Sequence, residues 1–378
     1  MTAATAVTTK AAVTTKTAVT TATALTTATA LTTATAVTTE TTVDRAPGAP
    51  GCPKHMVYGP CGGVKPDGGC ETGAERCVFV DGPVPRWPES ALAPPSADPF
   101  AGMRRPLVIA DLPAVALDKA SLRECASALT GRVDAVLLGD HGGERVQFPP
   151  ALRSEWVQAQ GLRVWAGLNC RDRNRVALEG EIAGLAEVGV AGVHCVTGDH
   201  TSIGGRPDTK PVFDLDSTRL VALVAAAGLP VSVAENPAAP PVTARPERLA
   251  EKVRAGAGAC FVNHSSGPAP VAGFVTAAVA RGARIPYVAC VPIVLDAGSA
   301  AVLRSFTGLD LPPGYLDGIL AARDPFRAGI AAALDLSRGL LETGLLRGVN
   351  LSGGAAPRGE VSPLRVAQAM AVIARGLH

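Results

Sequence analysis

The 378-residue sequence predicts a (β/α)8 barrel behind a small cysteine-rich module, on three observations. From residue 105 onward, short apolar runs alternate with amphipathic helical stretches, the rhythm of a βα repeat. Eight such runs can be counted, and the roughly 275 residues that hold them are the usual length of a closed eight-stranded barrel. Hydrophobic residues make up 47% of the chain but aromatics only 4%, so the core must be built from Ala, Val, Leu and Ile, which suits parallel strands buried on both faces. The alternative, an open doubly wound sheet, calls for a G-x-G-x-x-G turn after the first strand, and LPAVAL at 112–117 does not supply one.

Residues 1–46 come first and are set apart by composition. TAVTTK, AAVTTK, TAVTTA, TALTTA, TALTTA and TAVTTE follow one another over 5–40, with a degenerate TTVDRA after them. A solenoid needs larger inward-pointing apolar residues than Thr and Ala can provide, so the tail is expected to be disordered or to precede the true start. Residues 47–100 hold the cysteine-rich module and a Pro-rich linker, and residues 101–378 the barrel. Predicted strands are Leu107–Asp111, Val133–Leu138, Arg163–Leu168, Ala191–Thr197, Pro230–Ala234, Ala259–Asn263, Pro286–Cys290 and Arg347–Asn350. Helices are expected between them, for instance at Arg173–Val188 and Ser217–Ala227, each with a rough apolar face.

The bulk numbers narrow the function. Charged residues are 18% and the formal net charge is +2, so neither nucleic acid nor an anionic membrane is expected as a partner. No stretch of about 18 residues is continuously apolar and no secretory leader is recognisable, which makes the cytoplasm the default location. A small-molecule ligand is the natural expectation.

In such barrels the site is assembled from the residues just past the carboxyl ends of the strands. Here those residues are polar: Asp111; Asp140 and His141; Asn169, Arg171 and Asp172; Thr197, Gly198 and Asp199; Glu235, Asn236 and Pro237; Asn263 and His264; Asn350 and Ser352. Loops are polar in any protein, so position counts for more than number.

Three of these segments carry a family pattern. NCRDRNRVALEGEIAGLAEVGVAGVHCVTGD (169–199) and VFDLDSTRLVALV (212–224) resemble the third and fourth βα units of methylenetetrahydrofolate reductases. VAENPAAPP (233–241) with EKVRAGAGACFVN (251–263) is similar to the stretch that follows in that family. The resemblance implies a barrel holding FAD, which passes hydride from NADH or NADPH to methylenetetrahydrofolate. It places Asp199 beside flavin and pterin, as a catalytic and binding carboxylate, with Thr197, Gly198, Asn236 and Lys252 as further cofactor contacts. Asn263 stands where the family has a folate-contacting glutamine. Arg171, Asp172 and Arg173 are explained by helix capping and barrel-end ion pairs.

The departures are informative as well. Ala110 stands where the family has its general-acid glutamate, with Asp111 one step on. A one-residue shift turns a strand side chain to the other face, so Asp111 is expected to serve as the acid if the strand end bulges or the register differs, with its pKa raised by burial. Gly167 replaces a flavin-contacting histidine and Thr197 an arginine.

The module reads GCPKHMVYGPCGGVKPDGGCETGAERCVF over 51–79, a C-x8-C-x8-C-x6-C spacing. Four thiolates, Cys52, Cys61, Cys70 and Cys77, suffice for Zn²⁺ or a [4Fe–4S] cluster, and in a reducing compartment metal is the better explanation than disulfide. Cys125, Cys170, Cys195, Cys260 and Cys290 lie in apolar segments and read as structural. The module also resembles the cysteine-rich domain of methylenetetrahydrofolate reductase relatives, where it is associated with metal centres and with electron delivery to a reductase partner. Two functions are thereby expected. One is a flavin-dependent reductase with Asp111 as proton donor, alone or as a homo-oligomer. The other is a folate-binding or methyl-transfer partner subunit that lacks hydride chemistry.

Overall fold

The computed structural model describes residues 46–94, 98–139, 146–203, 206–354, 356 and 359–378. The Thr/Ala tail up to residue 45, and Asp140 and His141, lie outside the described residues. Thr41–His378 is one compact unit.

Eight parallel strands close into a barrel in sequence order: β1 (Leu107–Asp111), β2 (Ala135–Leu138), β3 (Val164–Asn169), β4 (Gly192–Val196), β5 (Val231–Glu235), β6 (Ala259–Val262), β7 (Tyr287–Ile293) and β8 (Gly348–Gly353). Each predicted run is a strand, and β1 has the predicted bounds. The last two strands extend three residues further than expected, and β7 and β8 pair from Val288↔Gly348 to Ile293↔Gly353. Helices α1 (Lys119–Leu129), α2 (Pro150–Gln158), α3 (Arg175–Glu187), α4 (Ser217–Ala226), α5 (Arg245–Arg254) and α6 (Pro268–Ala280) follow strands one to six. After β7 come α7 (Ala297–Arg304), α8 (Tyr315–Leu320) and α9 (Pro325–Glu342), and α10 (Pro363–Leu377) follows β8.

The alternation of a strand divides the apolar residues into two cores. On β1, Val108 and Ala110 face the helices, while Leu107 and Ile109 point into the barrel. The inner core is small: Leu107, Ile109, Leu137, Trp165, Phe261 and Val288 fill the lower part. Trp165 is accommodated because its register partner is Gly192; a Cβ there would meet the indole at 2.4 Å. Phe100 closes this core from below, fully buried, with its ring 5.2 Å from that of Trp165. Arg347, just before β8, holds the segment in place by donating to the carbonyls of Phe100 and Met103.

The Pro-rich linker is therefore part of the packing. From the module, the chain passes Trp87, whose amide donates to Glu251 Oε2, and Ala93, whose amide donates to the Arg254 carbonyl. It thus follows α5 along the outside of the barrel before Phe100 plugs the floor. Trp87 packs at 4.9 Å against Tyr58 of the module, and both belong to the outer core.

Asp216, with no exposed surface, ties the module to the barrel. One carboxylate oxygen caps α4 by accepting from the Thr218 and Arg219 amides, and the other accepts from the Val57 and Tyr58 amides of the module. Asp216→Ala strips four backbone amides of their acceptor at once. We expect it to cost about 3 kcal/mol, against about 1 kcal/mol for Asp118→Ala, which removes the exposed cap of α1. Denaturant midpoints measure both, and limited proteolysis of the Asp216 variant is expected to cut first within 46–62. Equal losses for the two variants would show that Asp216 acts only as a helix cap.

Candidate functional site

The carboxyl ends of β5 to β8 surround a cavity of about 190 Å³. Its walls include Asn236 after β5, Asn263 and His264 after β6, Cys290 on β7 and Ser352 on β8, and the loop after α7 covers it with Phe306 to Leu309. Asp111 borders this region. Its two oxygens accept from Asn350 Nδ2 at 2.9 Å and Ser352 Oγ at 2.7 Å, the pattern of an acceptor-only carboxylate. No bulge was needed to bring it there. β1 pairs regularly with β2 through Asp111↔Leu137 and with β8 through Ala110↔Leu351, and the inward face is the one that carries Leu107, Ile109 and Asp111. Ala110 faces the helices.

Burial keeps the titratable cavity groups neutral. It pushes the His264 imidazole down to about 4 and, with help from the Asp111 charge, the Cys290 thiol up to about 12. Asn350 Oδ1 and His264 Nε2 are buried and find no hydrogen-bond partner among the described residues. Deeper in the barrel, His194 Nδ1 pairs with Ser232 Oγ at 2.9 Å, and burial holds that imidazole at about 3.

A second polar cluster lies on the outer side of the sheet. Glu235 ends β5 with its side chain toward α5, where Arg245, Arg248 and Lys252 form one stripe at helical spacing and meet its carboxylate at 3.2, 3.0 and 2.9 Å. All four side chains are buried. Burial alone would raise Glu235, but the three cations reverse this and hold it at about 2. Burial and the neighbouring Arg248 charge lower Lys252 to about 8. Arg245 goes further and donates to the carbonyls of Pro60 and Cys61 in the module.

Lys252, expected at a flavin phosphate or ribityl chain, gives its ammonium to Glu235 and to the Ala234 carbonyl at 2.6 Å. The T-G-D turn differs in a similar way. Thr197 turns its hydroxyl to the Ser217 amide at the start of α4, so it does not face the barrel mouth. The Gly198 carbonyl accepts from Lys54 of the module at 2.8 Å. Lys54 is buried, pairs with Glu71 at 2.5 Å, and Glu71 in turn accepts from the His200 amide. Burial would lower the Lys54 pKa, but Cys61, Glu71 and Asp199 raise it. Asp199 is exposed at the rim. Of the residues expected to hold flavin, only Asn236 borders the cavity, and it is anchored through its own contacts: Oδ1 accepts from the Ala238 amide and Nδ2 donates to the Gly308 carbonyl.

FAD therefore lacks a matching set of side chains. Thr197, Gly198 and Lys252 are committed to α4, the module and Glu235, and the module occupies the mouth above β4 and β5. For the metal, Cys52, Cys61, Cys70 and Cys77 are free thiols within electrostatic reach of one another. Yet no group of three or more His, Cys, Asp or Glu side chains among the described residues is placed to hold a metal ion. The loop is stitched instead by backbone bonds, such as Cys70 N to the Glu75 carbonyl and Cys77 N to the Gly68 carbonyl. Burial raises the Cys52 and Cys77 thiols. As placed, the four do not form a centre.

The sequence had marked Asn236, Asn263, His264 and Ser352 by their position after strands. It missed Lys54 and Glu71, which act from outside the barrel repeat, Asp216, which caps α4 but also reaches the module, and Phe306, whose loop has no strand-end signature. Among the described residues no helix is long and apolar enough to cross a membrane.

No family model and no curated protein matches the chain. Among solved structures it is similar to 2,3-dimethylmalate lyase, a PEP mutase/isocitrate lyase superfamily member, at 14% identity and a TM-score of 0.40, over 68% of this chain and 81% of that one. It is also similar to tryptophan synthase from M. tuberculosis in its aminoacrylate-bound form, at 16% identity and a TM-score of 0.36, over 64% and 91%. Likenesses at this level carry no argument about activity.

The Glu235 cluster makes a test possible. Glu235 binds its proton near pH 2 when folded and near its ordinary 4.5 when unfolded, so its stabilisation is complete above about pH 4.5 and is lost as the pH falls towards 2. Lys252 gives a slope of the same sign: between about pH 8 and its ordinary 10.5 the unfolded chain keeps the proton that the folded chain has released, so the penalty of its burial is relieved and stability rises with pH there. Glu235→Gln leaves three buried cations without a counter-charge and is expected to cost about 3 kcal/mol or more at pH 7. Lys252→Met, which removes one of the excess cations, should cost less than half of that. Denaturant midpoints at pH 7 and pH 3 check both, and the gap between wild type and Glu235→Gln should shrink at pH 3; a gap that stays constant would contradict the cluster's role.

Proposed function

We propose that this chain is a folate-binding barrel of the methylenetetrahydrofolate reductase type, acting in one-carbon metabolism as the partner of a separate reductase subunit and holding no flavin of its own. The observation that carries the reading is the division of the barrel mouth. Three of the five residues that the resemblance assigns to flavin, Thr197, Gly198 and Lys252, are tied into α4, the module and Glu235. The β5–β8 half keeps an open cavity with amides and a carboxylate at its edge. The folate assignment rests on the motifs at 169–199, 212–224 and 233–263.

A reduced pterin suits such a wall. Its amino-pyrimidine edge offers N–H donors, and Asp111, with Asn350 Oδ1 unpaired beside it, offers acceptors. Asn236 and Asn263 present amides that can donate or accept. In this reading Asp111 binds and orients the ring by accepting hydrogen bonds. The expected role of proton donor passes from it to the partner, with the reduction itself. Asp199, exposed at the rim, is free to meet the ligand's outer part or the partner.

Titration calorimetry with 5-methyltetrahydrofolate on flavin-free protein tests the proposal. Saturable binding is expected, weakened about tenfold in Asp111→Asn, the loss of a charged hydrogen-bond acceptor. No binding would remove the folate assignment. Stoichiometric flavin in the purified protein, with oxidation of NADH or NADPH in the presence of methylenetetrahydrofolate, would overturn the partner role and restore the reductase itself.

A further inference from the structure

The cavity is smaller than the ligand proposed for it. Its volume of about 190 Å³ falls below the roughly 300 to 1,000 Å³ of pockets that enclose a drug-sized molecule. The floor and the strand walls cannot give way. Trp165, Phe261 and Phe100 fill the barrel below, the strands are locked into a closed sheet, and the side towards the module is held by buried ion pairs. What remains is residues 305–314, between α7 and α8, whose Phe306 to Leu309 border the cavity.

This segment is fixed at its ends and lightly held between them. Ser305 ends α7, and Tyr315, at the start of α8, donates its hydroxyl to the Pro292 carbonyl at 2.9 Å. Among the described residues, polar ties to the rest of the barrel occur at two points. Asp310 accepts from the Ser266 amide at 2.8 Å and from Ser265 Oγ at 3.5 Å, and the Gly308 carbonyl accepts from Asn236 Nδ2 at 3.4 Å, a long hydrogen bond. Leu309 packs against the small core of Val294, Ala300, Leu303 and Ile319, while Phe306 stays 48% exposed. Gly308 and Gly314 take left-handed backbone, with φ at +68° and +71°, and bracket a stretch that Pro312 and Pro313 stiffen. A stiff piece between two pliable points can move as a unit.

We propose that residues 305–314 are a strap that swings off the cavity to admit the ligand and closes over it, with Asp310 as the latch. The strap deepens the folate proposal and rests on it for the identity of the ligand, but not for the opening itself. The latch bond involves a carboxylate, so it sets the ratio of closed to open strap more than the long Gly308 bond does. Neither Asp310 nor Ser266 borders the cavity, so the latch is made whether the cavity is empty or filled. Losing it therefore eases entry and exit alike, without removing a contact to the ligand.

Surface plasmon resonance with 5-methyltetrahydrofolate over the full chain reads both rates. Labelling of Cys290 by a dye-linked maleimide, followed on its own peptide, reads opening without any ligand, because this thiol borders the cavity. The carboxylate that acts on Cys290 is Asp111 and not Asp310, so a changed labelling rate reports access. Asp310→Ala is expected to raise the association and dissociation rate constants together, each about tenfold, the scale of one hydrogen bond to a charged group, and to leave Kd nearly unchanged. Cys290 labelling should quicken by a similar factor, and saturating 5-methyltetrahydrofolate should slow it in wild type. Asp310→Asn, which keeps an acceptor, should fall between the two, and both variants should melt near wild type, since the change is confined to a loop. Faster dissociation with unchanged association would make Asp310 a contact of the bound ligand and overturn the strap. Unchanged rates and labelling in both variants would overturn it too, and leave the folate proposal standing. Faster Cys290 labelling in Asp310→Ala, with no folate binding to any of the chains, would uphold the strap and remove the folate proposal.

Discussion

One buried carboxylate organises the upper barrel. Glu235 ends a strand, and the three cations of α5 converge on it from one helix face. A charge of either sign in that position would be prohibitively costly alone, because taking an ion out of water costs several kcal/mol even after relaxation. Together the four groups fix the angle of α5 against β5. Arg245 then extends the same network to the carbonyls of Pro60 and Cys61, so the module is held by a charge whose partner lies in the barrel. Three cations against one anion leave an excess of positive charge, and the lowered Lys252 is the group that yields to it.

This constraint explains why the module does not behave as an appendage. Lys54 reaches the Gly198 carbonyl, Asp216 reaches back to the Val57 and Tyr58 amides, and Trp87 continues the contact down the side of α5. The first two join residues near the cysteines to a backbone group and a helix end of the barrel, and the third joins the linker to a side chain of α5. Separating the module from the barrel would thus expose Lys54 and Glu71 on one side and Arg245 on the other, all of them buried charges, which is why the two segments form one unit.

The barrel was legible in the sequence because eight apolar runs at regular spacing have few other solutions. The facing of β1 was not. Its LVIA run is apolar on both faces, as strands covered by helices on one side and a filled core on the other must be, so the pattern gives no parity. Matching Ala110 to a family glutamate then suggested that Asp111 pointed outward, whereas the inner packing of Leu107 and Ile109 turns it inward. Lys252 misled for a related reason. Its local sequence matches a cofactor-contacting lysine, but the signal that Arg245, Arg248 and Lys252 share one stripe facing a carboxylate is a pairing between elements, visible only when β5 and α5 are packed. The linker was read as a spacer because proline dominates it. Trp87 and Phe100, two of the few aromatics in the chain, were the residues that could have shown it is buried.

The unequal treatment of the two halves of the mouth follows from the same packing. Over β4 and β5 the module saturates the loops: Gly198, His200 and Asp216 all have partners in it. Over β6 to β8 the covering loop is tied instead to the segments after β6 and β5, through Asp310 and Gly308, and leaves the cavity beneath it. A barrel whose lower core is filled by Trp165, Phe261 and Phe100 has no room for a ligand below this level. Binding is confined to the upper layer, and within that layer to the half that the module leaves open. The position of the cavity is thus set less by the residues that line it than by the charge network on the opposite side of β5, which decides where the module sits.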